Sequence, residues 1–445
     1  MMRAGHHASK KRCADQDAPP GKRAKKTSDE AAAGQLGKQK PFSLDRVPLV
    51  ERQLTFRVDQ VAEAAAHFKK HGYVVVTDVL SEPDRVEFIK QLVKDVLQRQ
   101  PWSLAAPFKI CDPVTGEELD IDRDTDRYIA AFTRPMLSKE MVEMLYASEP
   151  FHAGFGAPCD GAGFHLPTMW KIRQDPRLYN LFRALMGGKA EMFVDINRPI
   201  VKYPGKGDHA FLHWDMNVLQ FDEDDDFLEG SISGKVAATD MTFMAAPGSH
   251  TKDAHRHISK HYRPLYPGIR PNSAKFGLDP TKADPLGLFE RARVIHVPKG
   301  AAVFWSTRLL HGVRKLSMEA GVQLGFYLGA MPAENRPAYK KKAGISEVKD
   351  RVRSWRECRA PKLFPSLDEI YYYPNRYTNF PLRMLPKYVA KTNPGWPGLT
   401  TRRIQSGPNA GTVYTTFVPV PNPNPAPPPL TELGKKLLGL VKWAK

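Results

Sequence analysis

Two strand-like runs far apart in the chain each deliver a metal-type ligand, and a chain built this way must fold so that the runs meet. The first is Phe211-Leu-His-Trp-Asp-Met-Asn217. In extended backbone successive side chains alternate between faces, so His213 and Asp215 point one way and Trp214 the other. The second is Gly300-Ala-Ala-Val-Phe-Trp-Ser-Thr-Arg-Leu-Leu310, a turn glycine followed by an aromatic-rich strand, and His311 comes directly after it. One imidazole and one carboxylate on a strand face, joined by a second imidazole from elsewhere, make a 2-His-1-carboxylate facial triad. Such a triad holds non-haem Fe(II) and leaves positions open for oxygen chemistry. A lone His-x-Asp triplet is common by chance. Its pairing with a second histidine at a strand end, several strand-like segments later, is the ordering a jelly-roll barrel needs to bring distant strands to one metal. The expectation is an iron-dependent oxygenase on a mainly β core.

Composition bounds the rest. A chain of 445 residues with 42% hydrophobic content can bury a sizeable core, and a barrel with long insertions can occupy such a length as one domain. No apolar run approaches the ~20 residues that span a bilayer, and no charged-then-apolar signal peptide opens the chain. Cys13, Cys111, Cys159 and Cys358 show no CxxC or metal spacing and read as reduced thiols. A soluble, intracellular protein is expected.

The net charge of +18 sits at the ends. Residues 1–40 carry 10 Lys/Arg against 4 Asp/Glu, and residues 340–445 carry 19 against 6, whereas 41–339 hold 37 against 38. A near-neutral body argues against a barrel that tracks a phosphate backbone, while basic termini can add non-specific nucleic-acid contact. Residues 1–45 read as a disordered basic tail. Within it Lys10-Lys-Arg12 and Lys22-Arg-Ala-Lys-Lys26 form two basic clusters. They read either as a bipartite nuclear-localisation signal for an import receptor or as a solubilising tail, so the destination is nucleus or cytoplasm.

Residues 46–417 form the expected catalytic domain. Val61, Ala65 and Phe68 repeat at helical spacing up to a C-capping Gly72; Tyr73–Thr77 is a β-branched strand; Ser81 caps a helix with Val86, Ile89, Leu92 and Val96 on one face. Asp120, Asp122, Asp124 and Asp126 lack the glycine and distal glutamate of a calcium loop and read as a solvated turn. Gly154, Gly156, Gly161 and Gly163 suggest a flexible loop leading to His165. Residues 170–187 read as helix, with Asp175 as N-cap, Pro176 as first helical residue and Gly187 as C-cap. Ala190 to Lys202 is a strand candidate, and 228–244 supplies further strands before a tight turn at Ala246–His250. Asp222-Glu-Asp-Asp-Asp226 is a solvated acidic loop that would repel polyanions near the metal. His250, His255, His257 and His261 read as polar residues of a loop. Residues 418–429 are a proline-rich linker, and 430–445 a docking helix over Thr431–Trp443 with Leu433, Leu437, Leu438 and Val441 on one face.

The blocks Gly72-Tyr-Val-Val-Val, Trp170-x-x-Arg-x-x-Pro, His213-x-Asp215, Pro247-Gly-Ser-His250, Phe304-Trp-Ser-Thr-Arg-Leu-Leu-His311 and Leu430-Thr-Glu-Leu-Gly-Lys-Lys-Leu-Leu-Gly-Leu440, in that order, resemble the phytanoyl-CoA dioxygenase family of Fe(II)- and 2-oxoglutarate-dependent oxygenases. The resemblance runs from about residue 60 to the C-terminus. It implies an α+β fold with a mainly β core: a double-stranded β-helix (jelly-roll, cupin-like) barrel with flanking α-helices, carrying iron on His213, Asp215 and His311. It further implies that 2-oxoglutarate chelates the metal and is oxidised to succinate and CO2, with ascorbate as an auxiliary reductant, while an unactivated C–H bond of a small or lipid-like substrate is hydroxylated. Retention of Asp215 argues against halogenation, which needs that ligand position vacated.

The sequence departs from the family in one respect. Relatives carry an Arg about ten residues past the distal His, where it binds the far carboxylate of 2-oxoglutarate. Here the region reads Met318-Glu-Ala-Gly-Val-Gln-Leu-Gly325. Arg308, Arg314 and Lys202 are the candidate replacements, with Arg308 and Arg314 preferred. Trp305 is expected inside the barrel, and Asn197 and Arg198 near the metal strand, with either a substrate-contacting or a turn-stabilising role. Two further functions stand beside the oxygenase: a catalytically degenerate jelly-roll protein with a structural or regulatory role, and a nuclear oxygenase acting on nucleic acid or protein.

Overall fold

The computed structural model describes residues 42–43, 47–50, 53–97, 109–134, 162–202, 211–215, 217–220, 231–268, 276–314, 321–333, 347–358, 399–403, 413–417 and 426–443. The chain divides between Lys40 and Pro41, and the description concerns the part from Pro41 onward. The basic clusters of the tail, the glycines at 154–161, the acidic run 222–226 and most of the proline-rich segment lie outside the described residues.

The domain opens with β1 (Thr55–Arg57), α1 (Val61–His71), β2 (Tyr73–Thr77) and α2 (Glu82–Gln91). Gly72 ends α1 at φ +81°, its N–H donating to the Phe68 carbonyl at 2.7 Å. A Cβ at that position would meet His250 Nδ1 at 2.5 Å, so both backbone and space demand glycine. Ser81 Oγ accepts from Asp84 N–H at 3.3 Å and caps α2, which continues as a π-helical turn over Leu92–Leu97. Next come α3 (Thr125–Phe132), α4 (Pro167–Arg173) and α5 (Pro176–Leu185). Trp170 thus belongs to α4, and a new helix starts where the Asp175 carboxylate accepts from Arg177 N–H at 2.8 Å.

The strand expected over Ala190–Lys202 is two, β3 (Met192–Val194) and β4 (Pro199–Lys202). Between them Asn197 Nδ2 donates to Asp195 Oδ2 at 2.8 Å and Asn197 Oδ1 accepts from Arg198 N–H at 2.9 Å. Such local bonds compete with a sheet ladder and break the run. The chain continues through β5 (Phe211–Trp214), β6 (Ile232–Ala237), β7 (Met241–Ala245), α6 (Lys252–Tyr262), β8 (Phe276–Gly277), α7 (Leu288–Arg291), β9 (Arg293–Val297), β10 (Ala302–Ser306), β11 (His311–Val313), β12 (Gln323–Tyr327), β13 (Ala330–Pro332), α8 (Glu347–Arg356), a hairpin of β14 (Leu399–Arg403) and β15 (Val413–Phe417), and α9 (Glu432–Leu438).

The pairings are nested. In the large sheet β4 pairs with β12 and β6 with β10; in the small sheet β5 pairs with β11 and β7 with β9. Contacts β12–β6 and β11–β7 join the pairs into orders β2-β10-β6-β12-β4 and β8-β5-β11-β7-β9. An antiparallel ribbon folded over on itself so that its members distribute between two sheets is the double-stranded β-helix, or jelly roll. Among the described residues no ladder joins the two sheets, so the barrel is an open one.

Three cores follow from strand alternation. On the outer face of the large sheet Val74, Val76, Val236, Phe304, Leu324 and Phe326 pack against Phe68, Phe88, Trp170 and Phe182 of the helices. Outside the small sheet, Leu212, Trp214, Met244 and Val294 pack against Ile258 and Tyr262 of α6. Between the sheets lie Tyr73, Val75, Ile200, Ala237, Phe243, Ile295, Val303 and Trp305. The histidines expected in a loop after His250 are instead on α6, capped by Thr251 Oγ1 accepting from Ala254 N–H at 3.1 Å. The buried face His255, Ile258, Ser259, Tyr262 has helical spacing.

At the C-terminal end α9 is shorter than expected, closing at Gly439 with φ +94°. Leu437 and Leu438 are buried, and Trp443 stacks on Tyr179 with ring centroids 5.7 Å apart. Arg351 of α8 locks this end, donating to the Val194 carbonyl at 2.6 Å and the Leu437 and Leu438 carbonyls at 3.1 Å.

Candidate metal centre

The register of two short strands builds the site. His213 is the third residue of β5 and His311 begins β11, and they are direct cross-strand partners. Asp215, two residues beyond His213, returns to the same face. All three side chains are buried, with 9%, 3% and 5% of their residues exposed in the order His213, Asp215, His311. His213 Nε2 lies 3.3 Å from Asp215 Oδ1, and His311 Nε2 lies 3.5 Å from Asp215 Oδ2. One ligand atom from each falls within 4.8 Å of the others, and among the described residues no other group of three or more does so.

The donor set, two imidazoles and one carboxylate, fits iron. Ligand atoms on one ion at about 2.1 Å lie about 3.0 Å apart when bound at right angles, and the two imidazole–carboxylate separations of 3.3 Å and 3.5 Å are close to that. The ring of His311 is already aimed. Its Nδ1–H donates to the Leu309 carbonyl at 2.9 Å, which fixes the tautomer and turns Nε2 towards Asp215. Phe243 and Trp305 wall the site, their rings 5.8 Å and 5.0 Å from that of His311 and 4.7 Å from each other. Trp305 lies inside the barrel, 2% exposed, as its strand position implies.

The other residues singled out from sequence occupy distinct places. Arg308 is buried in the turn between β10 and β11, its backbone carbonyl accepting from His255 Nε2–H at 2.7 Å. Burial, with the Arg308 charge adding to it, pulls the His255 imidazole down to about 4. Arg314 follows β11, on the face opposite His311 by alternation. Lys202 is on the inner face of the large sheet, but at the far end of β4, where its Nζ donates to the Arg314 carbonyl at 2.8 Å. Arg198 starts the same inner row; its guanidinium lies 4.9 Å from the Tyr327 ring and bonds Asn197 Oδ1 at 3.2 Å. His165 belongs to the helical layer, accepting from Trp170 Nε1–H at 3.1 Å.

Sequence reasoning passed over Lys235. It sits in the middle of β6, 8% exposed, opposite Val303 and Tyr327 in register, and so on the inner face with Ala237. The one available signal was a charge inside the otherwise small and apolar run Ser233-Gly-Lys-Val-Ala-Ala238. A cavity of about 650 Å3 opens elsewhere, lined by Arg85, Asp126, Met241, His296, Lys299 and Gln323 among others, and contains no member of the triad. The ligand geometry, not this opening, marks the site.

A family model described as phytanoyl-CoA dioxygenase (PhyH) matches residues 68–315, more than half of the chain. No curated protein matches the chain in sequence. Similar solved structures include the epimerase SnoN in complex with Fe3+, alpha ketoglutarate and nogalamycin RO, at 15% identity, covering 62% of this chain and 84% of that one with a TM-score of 0.33. EctD from S. alaskensis with bound Fe is 18% identical over 66% of this chain and 89% of its own, TM-score 0.32. GlcNAc Inducible Gene 2 (GIG2, DUF1479) from Candida albicans is 12% identical over 75% and 78%, TM-score 0.44. None of the described helices is long and apolar enough to cross a membrane.

Proposed function

The chain belongs to the phytanoyl-CoA dioxygenase family, and from that premise we propose that it is an Fe(II)- and 2-oxoglutarate-dependent dioxygenase hydroxylating an unactivated C–H bond of a small or lipid-like substrate. The observation that carries this reading is the meeting of His213, Asp215 and His311 across the β5–β11 ladder. The two imidazole Nε2 atoms and the Asp215 carboxylate would hold the ion on one face, leaving its remaining positions for co-substrate and oxygen. Bound there, iron would supply the oxidative chemistry by which 2-oxoglutarate, O2 and the substrate C–H become succinate, CO2 and the hydroxylated substrate. The protein's own groups do the positioning. Leu309 holds His311 in one tautomer, and Phe243 and Trp305 present apolar surface that excludes water from the reacting bond.

The test is direct. Protein reconstituted with Fe(II), given 2-oxoglutarate, ascorbate and oxygen, should bind one iron and release succinate. A protein that takes up no iron removes the reading. The absence of arginine from Met318–Gly325 favours a second reading, a degenerate jelly roll with a structural or regulatory role; iron bound with no succinate formed under any condition would support it. A nuclear destination, with an import receptor as partner, rests on the basic clusters of residues 10–26 alone. A reporter carrying residues 1–40 that stays in the cytoplasm would end that idea.

A further inference from the structure

The far carboxylate of 2-oxoglutarate lies about 5 Å from the chelating end, the length that four carbon–carbon bonds allow, and needs a cation about 3 Å beyond that. The position relatives use for arginine offers none here, since the inner residues of β12 are Gln323, Gly325 and Tyr327. The inner face of the large sheet instead carries Arg198 just before β4, Lys202 at the end of β4 and Lys235 on β6. Lys202 is tied to the Arg314 carbonyl at the far end of its strand, and Arg198 to Asn197 at the near end. Lys235 is level with Arg198, one on each side of Tyr327, but its strand β6 lies next to β10, which carries Trp305. Its Nζ lies 5.8 Å from the Phe243 ring centroid, 5.9 Å from that of Trp305 and 5.6 Å from that of Tyr327. Phe243 and Trp305 are the rings that pack on His311. Lys235 and His311 thus share two aromatic neighbours, which places the ammonium on the triad's side of the large sheet.

We propose that Lys235 receives the far carboxylate of 2-oxoglutarate, in place of the arginine that the family carries after its distal histidine. This rests on the oxygenase reading above. Aromatic faces attract a buried ammonium only weakly, and an incoming carboxylate would provide a charge-assisted hydrogen bond in a dry site. A lysine in the middle of a strand, packed between rings, is also preorganised for the task at little cost in side-chain entropy.

The experiment compares two acids that chelate iron alike, 2-oxoglutarate and 2-oxobutanoate, of which only the first has a far carboxylate. Full-length protein is loaded with Fe(II) without oxygen, and binding is followed by the visible charge-transfer band of the chelate. Wild type should prefer 2-oxoglutarate. Lys235→Met should weaken 2-oxoglutarate roughly 30-fold or more, leave 2-oxobutanoate within about twofold and keep one iron per chain. Should that variant fail to fold, Lys235→Arg should retain the preference and Lys235→Gln lose it. Wild type that binds both acids equally, or a folded Lys235→Met that still discriminates, overturns the inference and leaves the oxygenase reading intact. Transfer of the effect to Arg198→Met alone also overturns it. Wild type that binds neither iron nor acid overturns the reading on which it rests.

Discussion

Arg173 and Arg351 on the helical side of the large sheet and Lys235 on its inner side are all buried charges, yet their surroundings differ. Arg173 donates to the Phe164 carbonyl at 2.7 Å and the Asn197 carbonyl at 2.6 Å, and Arg351 clamps three carbonyls from β3 and α9. Burial pulls their guanidinium pKa values down, to about 9 and about 10, and the Asp195 carboxylate opposes both shifts. Both stay charged at neutral pH, locked to backbone that itself needs partners. On the inner side, Lys235 lies against three rings beside the candidate metal ligands. The same sheet thus uses buried charge for cohesion on one face and, under the proposal above, for a ligand on the other.

The sharpest way to separate the faces is to strip the inner one. His311→Ala or Asp215→Ala should abolish iron binding and reduce succinate formation to background, at least about a thousandfold, while the melting temperature stays near that of wild type; metal analysis and calorimetry would read both. Unfolding on either substitution would mean that the triad is part of the framework and the contrast false. Arg351→Ala is the reciprocal change. Removing a buried charge that satisfies three carbonyls should cost about 3–5 kcal/mol in denaturant unfolding, with iron stoichiometry unaltered in the fraction that remains folded.

Acid should discriminate as well. His255 is on the buried face of α6, bonded to the Arg308 carbonyl, and burial holds it to about 4 against an ordinary value near 6.5. Its folded-state pKa is depressed, so between pH 6.5 and 4 the unfolded chain binds a proton that the native one refuses, and stability falls as pH falls through that window. From this group alone the loss between pH 7 and 5 is about 2 kcal/mol. His255→Gln should flatten that part of the stability profile; an unchanged slope would remove His255 as its source.

How much of this was legible beforehand depends on which neighbour a residue answers to. His213, Asp215 and His311 could be picked out because each obeys a local rule, alternation in a strand or position at a strand end. Their meeting depends on the ladder that pairs His213 with His311, a long-range fact that strand order implies and spacing cannot prove. Lys235 was invisible because both faces of the large sheet are buried. Alternation then says only that Lys235 and Val236 face opposite ways, not which way is inward. The α6 helix was misread for another reason: basic and polar residues dominate His255-Arg-His-Ile-Ser-Lys-His261, and they masked the repeat His255, Ile258, Ser259, Tyr262 that packs it. The strand expected from Ala190 to Lys202 failed at Asp195-Ile-Asn-Arg198, where side-chain amide and carboxylate bonds displace the ladder.

The smallest effect tests whether the outer face communicates with the inner one. Thr431 caps α9 through Oγ1, which accepts from Gly434 N–H at 3.0 Å, and its own N–H donates to Gln174 Oε1 at 2.7 Å. Thr431→Ala removes the cap and keeps the backbone bond, so the cost should be about 1 kcal/mol. Because Arg351 still grips the far end of α9, the loss should appear as faster amide exchange over Glu432–Lys435 and not at the Leu437 and Leu438 end. Iron and 2-oxoglutarate affinities should not move, since the bonds of Thr431 go to Gln174 and Gly434 in the helical layer. A measurable loss of 2-oxoglutarate affinity would show that the helical layer sets the spacing of the inner face, and the division between cohesive and ligand-facing charge would then be one of degree.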